Sequence, residues 1–318
     1  MLLAAVLLAA CNGSDDVSDL PDGSGSAKAD EIRLNADVWH VMEGTRATTY
    51  SNATDLQTEA QFKCTAYLEN SLTPYISTTT VDWIAGASRW GFNSGNDHYY
   101  WPASGNLDFF GYMPETPPTY ITTGPTYTAD HNVTFTCTSL PMTNAGQGSS
   151  LKEFMFGMAL GQNYGNAAAG VPLTFQHPFA RIKLQLAASH PDITINSITF
   201  RSIQNNGSFT YTYSTATSTW TPSEDPTDFE VTLTGAAATF DNNTTAKPIG
   251  PDFIMIPQNW AGVIVVNADC AFWGEKKNYP SLTTTIPTNW QPGYSYTYTF
   301  NISPDDLIVN IAKFTEQW

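Results

Sequence analysis

A strict alternation of apolar and polar residues near the C-terminus constrains the fold more than any other feature. Tyr294, Tyr296, Tyr298, Phe300 and Ile302 alternate with Ser295, Thr297, Thr299 and Asn301. A period of two is typical of a β-strand that buries one face. Shorter runs with the same period recur along the chain, and no helical period persists over about three turns. The sequence therefore predicts an all-β protein in which this stretch is a central strand with its aromatic residues inward.

Length and composition suit two β-domains. The chain has 318 residues, of which only 13% are charged, and its 15 Tyr and 17 Phe supply large apolar side chains. A chain of this length predicts about two domains of ~150 residues each. Residues 161–170 (GQNYGNAAAG) offer no apolar face and mark the predicted boundary. We expect an N-terminal β-sandwich domain at 31–170 and a C-terminal one at 171–318.

Two stretches support more detailed predictions. Residues 99–102 (YYWP) and 107–114 (LDFFGYMP) flank a Ser-Gly-Asn turn and predict a hairpin. In residues 171–187, apolar side chains occupy odd positions up to Phe179 and even positions from Ile182 onward. Because side chains in a strand alternate strictly, this shift of phase at Ala180 predicts a β-bulge.

The N-terminus has the pattern of a lipoprotein signal. Residues 1–10 (MLLAAVLLAA) are apolar, and Leu8-Ala9-Ala10 precedes Cys11 as small residues precede a lipid-modified cysteine. No Lys or Arg comes before the apolar stretch, so the leader lacks the usual basic region. Residues 1–11 are therefore predicted to be the signal with its lipidated Cys11. Residues 12–30 are rich in Gly, Ser and Asp and predict a flexible tether.

A short alternating segment follows the tether. Ile32, Leu34, Ala36 and Val38 share one phase, which predicts a strand with one buried face. Residues 44–48 (GTRAT) then form an uncharged stretch around one arginine. Our hypothesis is that the strand is removable and that the chain is cut between Arg46 and Ala47. The alternative is that Arg46 is an ordinary loop charge with no role.

Charge and cysteine content limit the partners. The formal net charge of −16 gives nucleic acid and anionic membrane surfaces no electrostatic reason to bind. If Cys11 carries lipid, Cys64, Cys137 and Cys270 remain, without a CxxC motif. Three cysteines allow at most one disulfide, and small buried apolar groups are the simpler interpretation.

Catalytic and metal-binding patterns are missing from the sequence. The five histidines are scattered, with no HExxH motif, and no GxSxG or phosphate-binding glycine loop occurs. Asp97 and Asp108 could be paired glycosidase carboxylates, although turn roles are commoner for Asp. His177 is expected to be a core histidine, and the tryptophans at 83, 90 and 101 are either core residues or a sugar platform. We predict no enzymatic activity, no cofactor and no metal.

Six motifs in order carry a resemblance to a known family. They are LAAC at 8–11, TRAT at 45–48, YWP with LDFFGYMP at 100–114, LTFQHPFARIKL at 173–184, IPQ at 256–258 and WQPGYSY at 290–296. Together they resemble the fimbrillin family of Bacteroidota-type (type V) pilins, which includes Mfa-like lipoproteins.

The resemblance implies two transthyretin-like β-sandwich domains in tandem and export as an acylated (palmitate-bearing) outer-membrane lipoprotein. It also implies cleavage at Arg46 by an Arg-specific protease and assembly into a fimbrium by donor-strand exchange with other fimbrial subunits, in support of cell adhesion. The C-terminal segment with Leu307, Val309 and Ile311 alternates and is our candidate donor strand. The alternatives are a surface lipoprotein that binds glycan or host ligand without polymerising, as a tip-like or anchor-like adhesin, and, ranked last, a hydrolase.

Overall fold

The computed structural model describes residues 31–38, 54, 56–57, 61–148, 151–187, 193–223, 225–234, 246–270, 275–282, 288–302 and 307–317. Strands dominate these residues, which confirms the all-β prediction. In chain order the strands are β1 Leu34–Val38, β2 Gln61–Leu68, β3 Pro74–Ile84, β4 Arg89–Phe92, β5 Leu107–Met113, β6 Ile121–Tyr127, β7 Val133–Cys137, β8 Met155–Gln162, β9 Val171–Gln176, β10 Ala180–Leu186, β11 Ile193–Ile203, β12 Gly207–Thr212, β13 Thr217–Pro222, β14 Thr227–Thr232, β15 Lys247–Pro248, β16 Phe253–Met255, β17 Asn259–Trp260, β18 Ile264–Cys270, β19 Glu275–Leu282, β20 Thr288–Asn289, β21 Tyr294–Ile302 and β22 Leu307–Gln317.

Helical structure within the described residues is confined to short segments, which include residues 54 and 56–57. An α-helix spans Tyr164–Ala167, and single 3₁₀ turns span Ala85–Ala87, Asn93–Gly95 and Tyr213–Thr215. The side chain of Asn163 caps the α-helix by accepting hydrogen bonds from the backbone N–H groups of Gly165 and Asn166. This helix lies in the segment 161–170 that the sequence marks as a boundary.

The strands form two pairs of sheets. The first pair consists of a seven-stranded sheet, in the order β1-β9-β8-β5-β2-β3-β4, and a four-stranded sheet, in the order β13-β12-β7-β6. The second pair consists of β15-β10-β21-β22, with β16 also on β10, and β14-β11-β18-β19. A further two-stranded sheet joins β17 and β20. Apolar residues of each pair meet in buried cores, as in a β-sandwich.

Strand β5 of the seven-stranded sheet is buried on both faces. Leu107 and Phe109 of β5 belong to a core on the side of β1, whereas Phe110 packs with residues of the four-stranded sheet. We call these the first core and the second core; the third core lies between the sheets of the second pair. Burial on both faces explains the nearly continuous apolar run of β5.

The predicted central strand is confirmed. β21 lies between β10, to which it is parallel, and β22, to which it is antiparallel. Tyr296, Tyr298 and Phe300 are buried in the third core, and the Trp290 indole donates a hydrogen bond of 3.0 Å to the Tyr298 hydroxyl. Tyr294 is only half-buried.

Two local predictions are wrong. Residues 99–102 do not form a strand that pairs with β5; instead β5 lies between β2 and β8, and Tyr100 only bridges to Glu31. The phase shift at Ala180 is not a bulge within one strand. It marks the passage from β9 to β10, which belong to different sheets. The intervening Pro178 has no backbone N–H to contribute to a ladder.

The predicted domain boundary at residue 170 stays a prediction, but three strand pairings cross it. β9 follows residue 170 and pairs with β8 and β1, and β12 pairs with β7. The hydrogen-bonded sheets are therefore not divided at this residue. Sequence composition could not reveal this, because sheet membership depends on contacts between distant segments.

Candidate assembly site at the first strand

The first strand, β1, is an edge strand with one apolar face. It runs parallel to β9, with Leu34 opposite Val171 and Val38 opposite Phe175. The four side chains that share its inward phase are at most 6% exposed, while the side chains between them are exposed. The buried residues are Ile32, Leu34, Ala36 and Val38, all in the first core.

The space that β1 occupies lies between β9 and β4. Among the described strands only β9 is hydrogen-bonded to β1. β4, at the opposite edge of the same sheet, also contacts β1, so the sheet curls until its two edges meet. Taking β1 away would uncover the edge of β9 and the apolar side chains of the first core.

The N-terminal end of β1 is fastened by the segment that precedes β5. The Ile32 N–H donates a hydrogen bond of 2.7 Å to the Tyr99 carbonyl. His98 Nδ1 lies 2.5 Å from Glu31 Oε1, and the Glu31 side chain is 15% exposed. We call these two contacts the clasp. Sequence reasoning missed it, because no local pattern links Glu31 to His98.

Pairing between β1 and β9 begins at a glycine. Gly170 has a φ of +120°, a backbone conformation that residues with a side chain rarely adopt. A Cβ at this position would lie 3.3 Å from the Asn35 Cβ and 3.4 Å from the Asn35 nitrogen. The next residue, Val171, donates its N–H to the Arg33 carbonyl at 2.7 Å. Gly170 thus lets the two strands approach closely where their pairing starts.

The other predicted assembly residues have different positions. Cys11, Arg46 and Ala47 lie outside the described residues. Leu307, Val309 and Ile311 lie in β22, where they are opposite Ile302, Phe300 and Tyr298 of β21. The candidate donor strand is therefore an edge strand of the chain's own sheet. The sequence prediction was that this segment would be a free C-terminal end.

Asp97 and Asp108 have structural roles. Asp108 is 2% exposed; its Oδ1 accepts a hydrogen bond of 2.8 Å from the Gly161 N–H, and its Oδ2 lies 3.7 Å from His131 Nδ1. The Tyr127 hydroxyl also contacts His131 Nδ1. Burial, together with the nearby Asp108 carboxylate, raises the pKa of the Tyr127 phenol. Asp97 instead closes a turn through its N–H to the Phe92 carbonyl.

The remaining chemical candidates are core residues. His177 is 5% exposed, and its Nδ1 lies 3.0 Å from Oε2 of the buried Glu153, which confirms the core interpretation. Trp90 is buried and packs edge-on against Trp83 at a centroid distance of 5.4 Å. Trp101 packs against Phe109 at 6.0 Å. These tryptophans therefore pack against the first core rather than forming an open platform.

The described residues show neither a metal-ligand cluster nor a membrane-spanning helix. Within the described ranges, no group of three or more His, Cys, Asp or Glu side chains is arranged to hold a metal ion. Those ranges also contain no helix of the length and apolarity needed to cross a membrane.

Comparison with known families identifies the chain. A family model described as fimbrillin-like matches residues 45–318, which is most of the sequence. The chain belongs to the fimbrillin-like family. Membership supports a fimbrial or adhesin role at the cell surface, and a structural protein rather than an enzyme.

Solved structures share the fold of this fimbrillin-like chain. A fimbrial protein from Bacteroides vulgatus matches with a TM-score of 0.61 and 14% identity, over 91% of this chain and 99% of that one. A candidate cell adhesion protein from Bacteroides uniformis gives a TM-score of 0.56 and 13% identity, over 89% and 98%. A similar candidate from Bacteroides ovatus gives 0.54 and 16%, over 91% and 97%. No curated protein matches the sequence.

Proposed function

We propose that the chain is a fimbrial subunit, exported as a lipoprotein, that assembles by donor-strand exchange after a protease cuts at Arg46. The observation that carries this proposal is the placement of β1. It completes the first core, yet it is paired through one edge to β9 and joined to β2 by the residues that include Arg46 and Ala47.

Cleavage would convert β1 into a separate segment held by non-covalent contacts. Burial of its four apolar side chains contributes roughly 5–8 kcal/mol at about 25 cal/mol per Å², before the entropy of ordering is subtracted. That is enough to keep β1 in place for a time, but a strand with better fit can replace it. An uncovered edge of β9 beside the exposed apolar side chains of the first core favours this kind of strand addition.

The donor in this proposal is β22 of another subunit. Leu307, Val309 and Ile311 alternate as the side chains of a replacement strand must. β22 is at the edge of its sheet, so its transfer breaks pairing with β21 alone among the described strands. Cys11, when acylated, would hold the uncut chain at the outer membrane through residues 12–30.

The direct test combines cleavage with N-terminal mass analysis. Treating the delipidated protein with a trypsin-like protease should yield a chain that starts at Ala47, followed by a ladder of stable oligomers on a mild gel. The Arg46→Ala protein should remain intact at this position and monomeric. If Arg46→Ala polymerises as well as the wild type, cleavage is not the trigger, and the non-polymerising lipoprotein becomes the better interpretation.

A further inference from the structure

A groove separate from β1 lies where the β12–β13 hairpin faces β17, β20 and the segment that leads into β21. Residues 216–220 of the hairpin form one wall, and residues 257–259 and 289–294 form the other. The end of β9, at Gln176 and His177, closes the groove. Its volume is about 550 Å³, within the range of small-molecule sites.

The lining of the groove is polar but uncharged. No Asp, Glu, Lys or Arg is among the described residues that line it. Among the described lining residues, the titratable groups are His177, which is paired with the buried Glu153, and the phenols of Tyr211 and Tyr294. A charged ligand would therefore lose its hydration on binding without gaining an oppositely charged partner, which costs free energy.

Several lining side chains have unused hydrogen-bonding capacity. Within the described part of the chain, the following neither donate nor accept a side-chain hydrogen bond: Gln176, Ser218, Thr219, Asn259 and Asn289. Amides supply both donors and acceptors, and hydroxyls can act as either. A wholly apolar ligand would bury these groups without partners, which costs free energy.

Aromatic rings complete the lining. Trp220 is half-buried, and its ring is fixed by Phe209 at a centroid distance of 5.4 Å and by Phe135 at 5.6 Å. Its indole N–H already donates to the Pro178 carbonyl at 2.6 Å, so only apolar ring surface remains for a ligand. Tyr294, half-buried on the other wall, adds a second ring.

We propose that this groove binds a neutral saccharide. A sugar ring has apolar C–H faces that pack on aromatic rings and a rim of hydroxyls that exchange hydrogen bonds with amides. The lining offers both, without charge, and the net charge of −16 disfavours anionic ligands over long range. An extended peptide fits less well, because Pro257 and Pro292 on the wall facing β13 have no N–H for strand pairing. The inference does not depend on assembly through β1.

The test is a titration of the full-length protein with named saccharides. The neutral probes are mannotriose, cellotetraose and lacto-N-tetraose, and sialyllactose is the anionic comparison. We expect at least one neutral probe to bind with a Kd of about 1 mM or tighter by calorimetry, and to change tryptophan fluorescence. Sialyllactose should bind at least tenfold more weakly.

Variants locate the site. Trp220→Ala should weaken binding at least tenfold, and Asn259→Ala should do the same without touching a core residue, so it remains informative if Trp220→Ala fails to fold. Tyr100→Ala removes an exposed aromatic side chain outside the groove and should leave binding unchanged. The proposal is overturned if no neutral probe binds, if sialyllactose binds equally well, if Asn259→Ala has no effect, or if a peptide of residues 307–312 occupies the groove instead.

Discussion

At the scale of single residues, buried thiols and buried charged groups determine the protein's reactivity toward thiol reagents and the dependence of its stability on pH. Cys64 and Cys137 are free, buried cysteines, as their interpretation as small apolar groups required. Burial raises the pKa of each thiol to about 12. The side chain of Cys270 lies outside the description.

These two thiols should be inert in the folded protein. At pH 8 a pKa of about 12 leaves about one thiol in ten thousand as the reactive thiolate, and neither sulfur is accessible. We expect no labelling of Cys64 or Cys137 by iodoacetamide within an hour, and full labelling in denaturant, as read by peptide mass spectrometry. Rapid labelling of either residue in the folded protein would contradict this burial.

Arg181 and Asp252 form a buried ion pair in the second pair of sheets. Arg181 Nε donates to Asp252 Oδ2 at 2.6 Å, and Arg181 is only 1% exposed. Burial raises the pKa of the Asp252 carboxyl despite the opposing effect of Arg181. The folded state therefore holds the Asp252 proton more tightly than the unfolded state does. Because of this, the contribution of Asp252 to the free energy of unfolding increases as the pH falls toward the ordinary pKa of an aspartate.

Removing the arginine should destabilise the fold most at neutral pH. Arg181→Leu leaves the Asp252 carboxylate buried without this partner, at a cost of about 3–5 kcal/mol at pH 7. The loss should be smaller at pH 5, where more of the carboxyl is protonated. The matched Arg181→Leu/Asp252→Leu variant should recover part of the stability. Urea unfolding at both pH values measures this, and a single variant within about 1 kcal/mol of wild type would refute it.

At the scale of elements, sequence reasoning worked where apolar and polar residues alternate and failed where the apolar run is continuous. The alternation in β1 and β21 predicts their buried faces, and the structure has these side chains in the first and third cores. β5 is buried on both faces, so its continuous apolar run has no alternation that would indicate which side chains face which core. Its partners β2 and β8 are also distant in sequence. The parallel pairing of β1 with β9 is equally unpredictable, since no turn connects them.

The clasp should control how long β1 stays after cleavage. His98→Ala removes the contact with Glu31, and because an exposed pair contributes up to ~1 kcal/mol, cut protein should lose its N-terminal fragment about two- to fivefold faster. Gel filtration with mass detection follows the release.

A matched control removes an ion pair elsewhere. Glu115→Gln breaks the 3.6 Å contact with Lys63 and should release the fragment at the wild-type rate. Equal rates for His98→Ala and wild type would show that pairing with β9 alone retains β1.

At the scale of the whole molecule, the proposed fibre requires each subunit both to accept and to donate a strand. A chain that ends at residue 302 lacks β22, so it should be cut at Arg46 and accept a strand but donate none. Added to cut wild-type protein in equal amounts, it should shorten the oligomer ladder. Thermal unfolding checks that loss of pairing with β21 has not unfolded the protein. An unchanged ladder with a folded variant would exclude β22 as the donor.

The position of β1 between β9 and β4 also has a mechanical consequence. A strand in this position that is pulled along its own axis loads all its hydrogen bonds to β9 at once. A strand that is lifted at one end breaks the same hydrogen bonds one after another. The clasp fastens the N-terminal end of β1, which follows the predicted tether in sequence, and Val38 lies at the other end, which precedes Arg46 in sequence. In the proposed lipoprotein, tension on the N-terminal end along the axis of β1 would act in shear and be resisted, while a cut after Arg46 would free the end from which the strand can be peeled.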